Sequence, residues 1–72
     1  ALAHFKDQTA VPDLIELIKN DVRPVIRGTA AWALGKIGDK EALDTLMNLR
    51  EKEKDQEVIE EMSKGIEMLQ EI

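Results

Sequence analysis

Cysteine and tyrosine are absent from this chain, and histidine, phenylalanine and tryptophan occur once each, as His4, Phe5 and Trp32. Without cysteine, the 72 residues supply no disulfide, no zinc–thiolate site and no ligand for an iron–sulfur cluster. A single histidine does not build a multi-histidine metal centre. No apolar run approaches the roughly 18 residues of a membrane span, and no signal-peptide pattern opens the chain. Phosphate-cradling glycine loops, nucleophile elbows and metal-spaced carboxylates are missing as well. We therefore expect no catalytic residue and no metal site in this segment, no membrane partner, and a cytoplasmic setting.

What remains is aliphatic and charged. A chain of this length allows one small domain near the lower limit for independent folding, and its core has to be built from Leu, Ile, Val, Met and Ala. The net charge of −5 is unevenly spread. Residues 1–38 hold five bases (Lys6, Lys19, Arg23, Arg27, Lys36) against four acids, whereas residues 39–72 hold five bases against eleven acids. The acidic half reads as a solvated end cap, and any approach to nucleic acid is confined to the first half.

The sequence repeats with a period of 32 residues and no gap. Leu2, Leu34 and Ile66 share a column, as do Phe5, Ile37 and Leu69; Ala10/Ala42, Val11/Leu43, Leu14/Leu46 and Leu17/Leu49 continue the match. Two helical patterns per unit at this period define an all-α fold, an α-solenoid of helical hairpins with about two repeats plus a partial helix. The register opens inside a unit, which predicts a longer parent chain.

Helical spacing of apolar residues divides the chain into a helix tail (1–6), a first repeat (9–38) and a capping repeat (39–72). In the first repeat, Thr9 is the expected N-cap of a helix over 9–20, with Pro12 in its first turn. Pro24 opens a second helix over 24–37, and Gly38 ends it as a left-handed C-cap. Asp39 is expected to cap a helix over 40–52, and the last helix covers 56–70. On a helical wheel Ile26, Ala30, Ala33, Leu34 and Ile37 form one buried stripe, with Trp32 roughly opposite it and grouped with Val25, Gly28, Gly35 and Lys36.

Four residues of the first unit, together with His4, are the candidates for facing a partner. Trp32 has glycines four before and three after it, and two glycines inside a helix cost about 1 kcal/mol each relative to alanine, so something needs the room. Its ring is expected over this bare backbone, either packing against a preceding repeat or domain, or serving as a hot spot for a partner or a stacking platform for an RNA base. Arg27 is replaced by Ile59 one period later; it either reaches a carboxylate such as Asp39 or Asp7 and braces the stack, or contacts phosphate. Arg23 and Lys36 extend a short basic strip with Lys19 and Arg27. His4, next to the Trp32 face, reads as surface or interdomain packing.

The string Val25-Ile26-Arg27-Gly28-Thr29-Ala30-Ala31-Trp32-Ala33-Leu34-Gly35-Lys36-Ile37-Gly38 resembles the HEAT-like repeats of the phycobilisome-lyase type. Its "Arg-Gly-x-Ala-Ala-Trp-Ala-Leu-Gly" wording, with Ala1–Asp7 before it, is similar to the C-terminal HEAT-like region of epoxyqueuosine reductases. The general repeat has neither the tryptophan nor the glycine after the arginine. The resemblance covers residues 1–64 and fades over the last helix. It implies a parent oxidoreductase with a cobalamin-binding catalytic domain and two 4Fe–4S clusters, acting on epoxyqueuosine in tRNA during queuosine synthesis. It also implies that this segment is a non-catalytic module packed on the upstream catalytic domain of the same chain, with tRNA as a further partner through Trp32, Arg27 and Lys36. A general protein-interaction scaffold from an unrelated HEAT-repeat protein is the alternative.

Overall fold

The computed structural model describes residues 10–71, which form four helices and no strand: α1 (Val11–Asn20), α2 (Pro24–Ile37), α3 (Ala42–Lys52) and α4 (Gln56–Gln70). The expected helix tail over 1–6, the Thr9 cap, His4 and Asp7 lie outside the described residues. Among those described, α2 is the central element, packing most extensively on α4 and next on α1, while α3 packs on α4. Two antiparallel hairpins, α1/α2 and α3/α4, thus stack side by side, as the 32-residue period requires.

Local chemistry sets the helix ends. Pro24 occupies the first turn of α2 and Pro12 that of α1, where a missing N–H breaks no helical hydrogen bond. Gly38 takes φ 79° and ψ 21°, and its N–H closes on the Leu34 carbonyl at 3.3 Å. A side chain at that φ is strained, which explains a glycine there. Asp39 acts one step earlier than expected. Its Oδ1 accepts the Glu41 N–H at 3.0 Å and its carbonyl accepts the Ala42 N–H, so residues 39–41 form a turn and the helix begins at Ala42. Asp55 is the strongest cap: its carboxylate accepts the N–H groups of Glu57 (2.9 Å) and Val58 (3.2 Å).

The core is aliphatic throughout. Leu34, Leu46, Met62, Leu69 and Val58 are its largest fully buried side chains, with Val11, Ile18, Ala30, Ala31, Ile37, Ala42 and Ile66 completing it. The four apolar residues read from the last helix (Val58, Met62, Ile66, Leu69) are all buried, whereas Leu17 of α1 and Met47 of α3 are exposed.

The single buried stripe expected on α2 is half of what the structure contains. Ala30, Leu34 and Ile37 are buried, Ile26 and Ala33 only partly so, and a second buried face is made by Gly28, Ala31 and Gly35. A wheel with one apolar arc suits a helix lying on one neighbour, and α2 lies between two.

Candidate partner-facing surface

The glycines of α2 serve α4 and not Trp32, contrary to the expectation that the ring covers them. A Cβ on Gly35 would stand 2.8 Å from the Gly65 Cα, and one on Gly65 would stand 2.7 Å from the Ala31 carbonyl oxygen. Both distances are shorter than real Cβ contacts, so α2 and α4 meet backbone to backbone at Ala31, Gly35 and Gly65. Gly28 is less critical, since its Cβ would meet only the Glu61 side chain, at 3.2 Å. Trp32 is left on the adjacent surface, 42% exposed, with the Lys36 ammonium 4.9 Å from its ring centroid. That spacing is a cation–π contact one helical turn apart.

Arg27 braces the stack, and its partner is Glu53 in place of the expected Asp39; Asp7 lies outside the described residues. Nε and Nη2 of Arg27 each donate to the Glu53 carboxylate at 2.9 Å, and Nη1 donates to the Asp21 carbonyl at 3.0 Å. Glu53 also accepts the N–H groups of Lys54 (3.2 Å) and Asp55 (3.0 Å). One guanidinium therefore joins the α1–α2 turn to the α3–α4 turn. The side chains are 18% and 8% exposed, so this is a largely dry, bidentate ion pair. The Arg27 hydrogen bonds hold the Glu53 carboxyl below its ordinary range against an opposing push from burial, helped by the Asp55 and Lys54 N–H groups. Glu53 in turn raises Arg27. The period signals this contact in retrospect, because Glu53 falls 32 residues after Asp21 and both acids close their helix at the same turn position.

Arg23 makes a separate, exposed pair. Asp21 Oδ1 accepts both the backbone N–H and Nε of Arg23, at 2.8 and 3.0 Å, while Oδ2 accepts Nη2 at 2.9 Å. These bonds, side chain first and backbone second, lower the Asp21 carboxyl to about 2. Arg23 is itself raised by the same carboxylate.

The expected basic strip is divided. Lys19 and Arg27 line one open groove of about 610 Å³ between the two turns, together with Lys52, Lys54, Glu16, Asp21 and Glu53. Lys36 stands 13 residues beyond Arg23 along α2, roughly 20 Å away at 1.5 Å per residue. Among the described residues no cluster of three or more His, Cys, Asp or Glu side chains is placed to hold a metal ion, and no helix is long and apolar enough to cross a membrane.

Paired antiparallel helices stacked at a fixed interval, with small residues where successive hairpins touch, define a helical repeat protein. A family model for HEAT repeats matches residues 1–66, and the chain belongs to that family. Within it the relationship is more specific. The chain is 61% identical over 69 residues to epoxyqueuosine reductase of Bacillus subtilis and 56% identical over 69 residues to that of Bacillus cereus, alignments that cover 96% of this chain and 18% of each relative. A solved epoxyqueuosine reductase superposes with a TM-score of 0.89 at 61% identity, over 96% of this chain and 18% of that one. Another, solved with an epoxyqueuosine-modified tRNA-Tyr stem loop, superposes with a TM-score of 0.89 at 60% identity, over 97% of this chain and 19% of that one. The chain thus spans about a fifth of the length of these reductases and is homologous to a C-terminal segment of them.

Proposed function

We propose that this chain is the non-catalytic HEAT-repeat module of an epoxyqueuosine reductase, an enzyme of queuosine tRNA modification. The observation that carries the reading is identity of about 60%, with near-superposable backbones, to a segment of reductases, one of them solved with its modified tRNA stem loop. The module packs on the catalytic part of the same polypeptide and adds to the tRNA-contacting surface. In this reading the chemistry belongs to the rest of the parent: this chain has no cysteine and so offers no thiolate to the 4Fe–4S clusters expected there.

Arg27 is a brace in this reading, since its guanidinium donors are engaged within the fold. Arg23 likewise gives its Nε and Nη2 to the Asp21 carboxylate, so phosphate contact falls to Lys19, exposed on the less acidic half. The test uses the full-length protein in a strain lacking its own epoxyqueuosine reductase, with queuosine in digested tRNA measured by mass spectrometry. Restoration of queuosine is the expected result; continued accumulation of epoxyqueuosine refutes the reading. For the tRNA contact, Lys19→Ala should weaken tRNA binding and reduce the slope of log affinity against log salt by about 0.7–0.9, the contribution of one phosphate contact. An unchanged slope refutes that part.

A further inference from the structure

The two repeats differ along one surface in a way the fold does not require. Val22, Val25 and Trp32 have Lys54, Glu57 and Lys64 as counterparts one period later. Val25, Thr29, Trp32 and Lys36 recur at i, i+4, i+7 and i+11, so they share one stripe of α2, and all four are exposed. Val22 is 87% exposed and Val25 76%, among the apolar side chains furthest from the core. The second repeat builds the same turn and helix with charges in these places. Large apolar side chains left in water along one face, where the sister repeat carries charges, mark a surface that something covers.

The neighbouring residues indicate what kind of partner fits. Beside the stripe runs an open groove of about 380 Å³ between the first turns of α2 and α4, floored by Pro24, Val25 and Val58 and rimmed by Asp55, Glu57 and Glu61. Carboxylates along this rim repel a phosphate backbone and favour cationic side chains. The homologous reductases are about five times the length of this chain, which places a large body of polypeptide next to the module. We propose that the Val22–Val25–Trp32 stripe is the surface by which the module docks on the remaining part of its own longer polypeptide. The partner surface is apolar protein carrying Lys or Arg opposite Glu57 and Glu61. Trp32 is then an interdomain anchor and not a platform for an RNA base. This inference rests on the module reading proposed above.

Hydroxyl-radical footprinting read by mass spectrometry reports side-chain exposure directly. In the full-length protein without RNA, modification of Val22, Val25 and Trp32 should be several-fold slower than in the 72-residue chain, and adding tRNA should change it no further. Equal rates in the two proteins, or protection that arises only with tRNA, overturn the docking surface. The triple variant Val22→Lys, Val25→Glu, Trp32→Lys carries the residues of the next repeat. Its 72-residue form should melt like wild type, while its full-length form should release the module to limited proteolysis; full-length resistance equal to wild type also overturns the proposal. Epoxyqueuosine reduction by full-length wild type is scored separately. A protected Trp32 in a protein lacking that activity refutes the reductase reading and leaves the docking surface standing.

Discussion

Replacing each helical glycine by alanine should give opposite signs at different positions, because one methyl group meets three different environments. Alanine is favoured over glycine in a helix by about 1 kcal/mol, so each change begins with a gain of that size. At Gly35 the added Cβ stands 2.8 Å from the Gly65 Cα, where ordinary contact starts at 3.4 Å, and the obstacle is backbone. The helices have to separate by about 0.6 Å at their crossing, pulling α4 away from the Ala31–Leu34 side of α2. At Gly65 the deficit is similar, 2.7 Å to the Ala31 carbonyl oxygen, with Leu46 Cδ2 at 3.1 Å as a second obstacle. Overpacking of this kind costs about 1–3 kcal/mol and more where backbone must move. The balance is a net loss of up to about 2 kcal/mol at either site. Gly28 differs in that its Cβ meets the Glu61 Cγ at 3.2 Å, on a side chain with room to swing away, so the helical gain survives. For a domain of this size 1 kcal/mol moves the melting temperature by about 4–8 °C. Thermal melts followed by far-ultraviolet circular dichroism should therefore show Gly35→Ala and Gly65→Ala several degrees below wild type and Gly28→Ala a few degrees above it. If all three variants shift upward together, the close backbone approach of α2 and α4 is wrong.

Other perturbations separate the core, the cap and the ion pairs. Leu46→Ala, in the fully buried core, should destabilise by about 3–5 kcal/mol in urea unfolding, while Met47→Ala one residue on should change stability by less than about 1 kcal/mol. Asp55→Ala removes the acceptor of two helix N–H groups and should lower stability by about 1 kcal/mol, a loss that Asp55→Asn largely avoids. Arg27→Lys should lower the melting temperature more than Arg23→Ala does, because lysine reproduces neither the bidentate pair with Glu53 nor the bond to the Asp21 carbonyl, whereas Arg23 holds an exposed and salt-screened pair. Asp21 and Glu53 titrate below their ordinary values when folded, so the unfolded chain takes up protons first as pH falls. The Asp21 contribution is present above its ordinary value of 3.8 and is lost as pH falls through about 2, that of Glu53 is lost as pH falls below its ordinary range, and Asp21→Asn should flatten the stability profile between about pH 4 and 2.

The period made most of the fold legible. The columns Leu34/Ile66 and Ile37/Leu69 follow from the 32-residue period and are buried, although Leu17 in another column is exposed; the Gly38 cap, both first-turn prolines and the range of α4 follow from residues a few positions apart. The second face of α2 was not legible from one wheel. Gly28 and Gly35 look like room made for a neighbouring tryptophan until α4 is seen lying across them, and that contact depends on Gly65, some 30 residues away. Arg27 was legible as a brace, but naming its partner required the relative height of two turns, which only stacking sets. Trp32 stayed at the surface as its place on the wheel implied. The family wording around it pointed to the correct relatives.

The Arg27–Glu53–Asp21 connection also bears on how the module transmits force. It ties the two hairpins together along the rim where their internal turns lie, through charge-assisted bonds that resist stretching. The opposite rim, where Gly38 and Asp39 link one hairpin to the next, is fastened differently: Gly35 meets the Gly65 backbone there, and Ile37 and Leu69 are buried. A load applied across the module therefore meets two unlike fastenings, one of charge at the turn rim and one of packing at the glycine rim. Arg27 is the rivet of the first. With isoleucine at the equivalent place in α4, no guanidinium there is available to fasten a further hairpin in the same way.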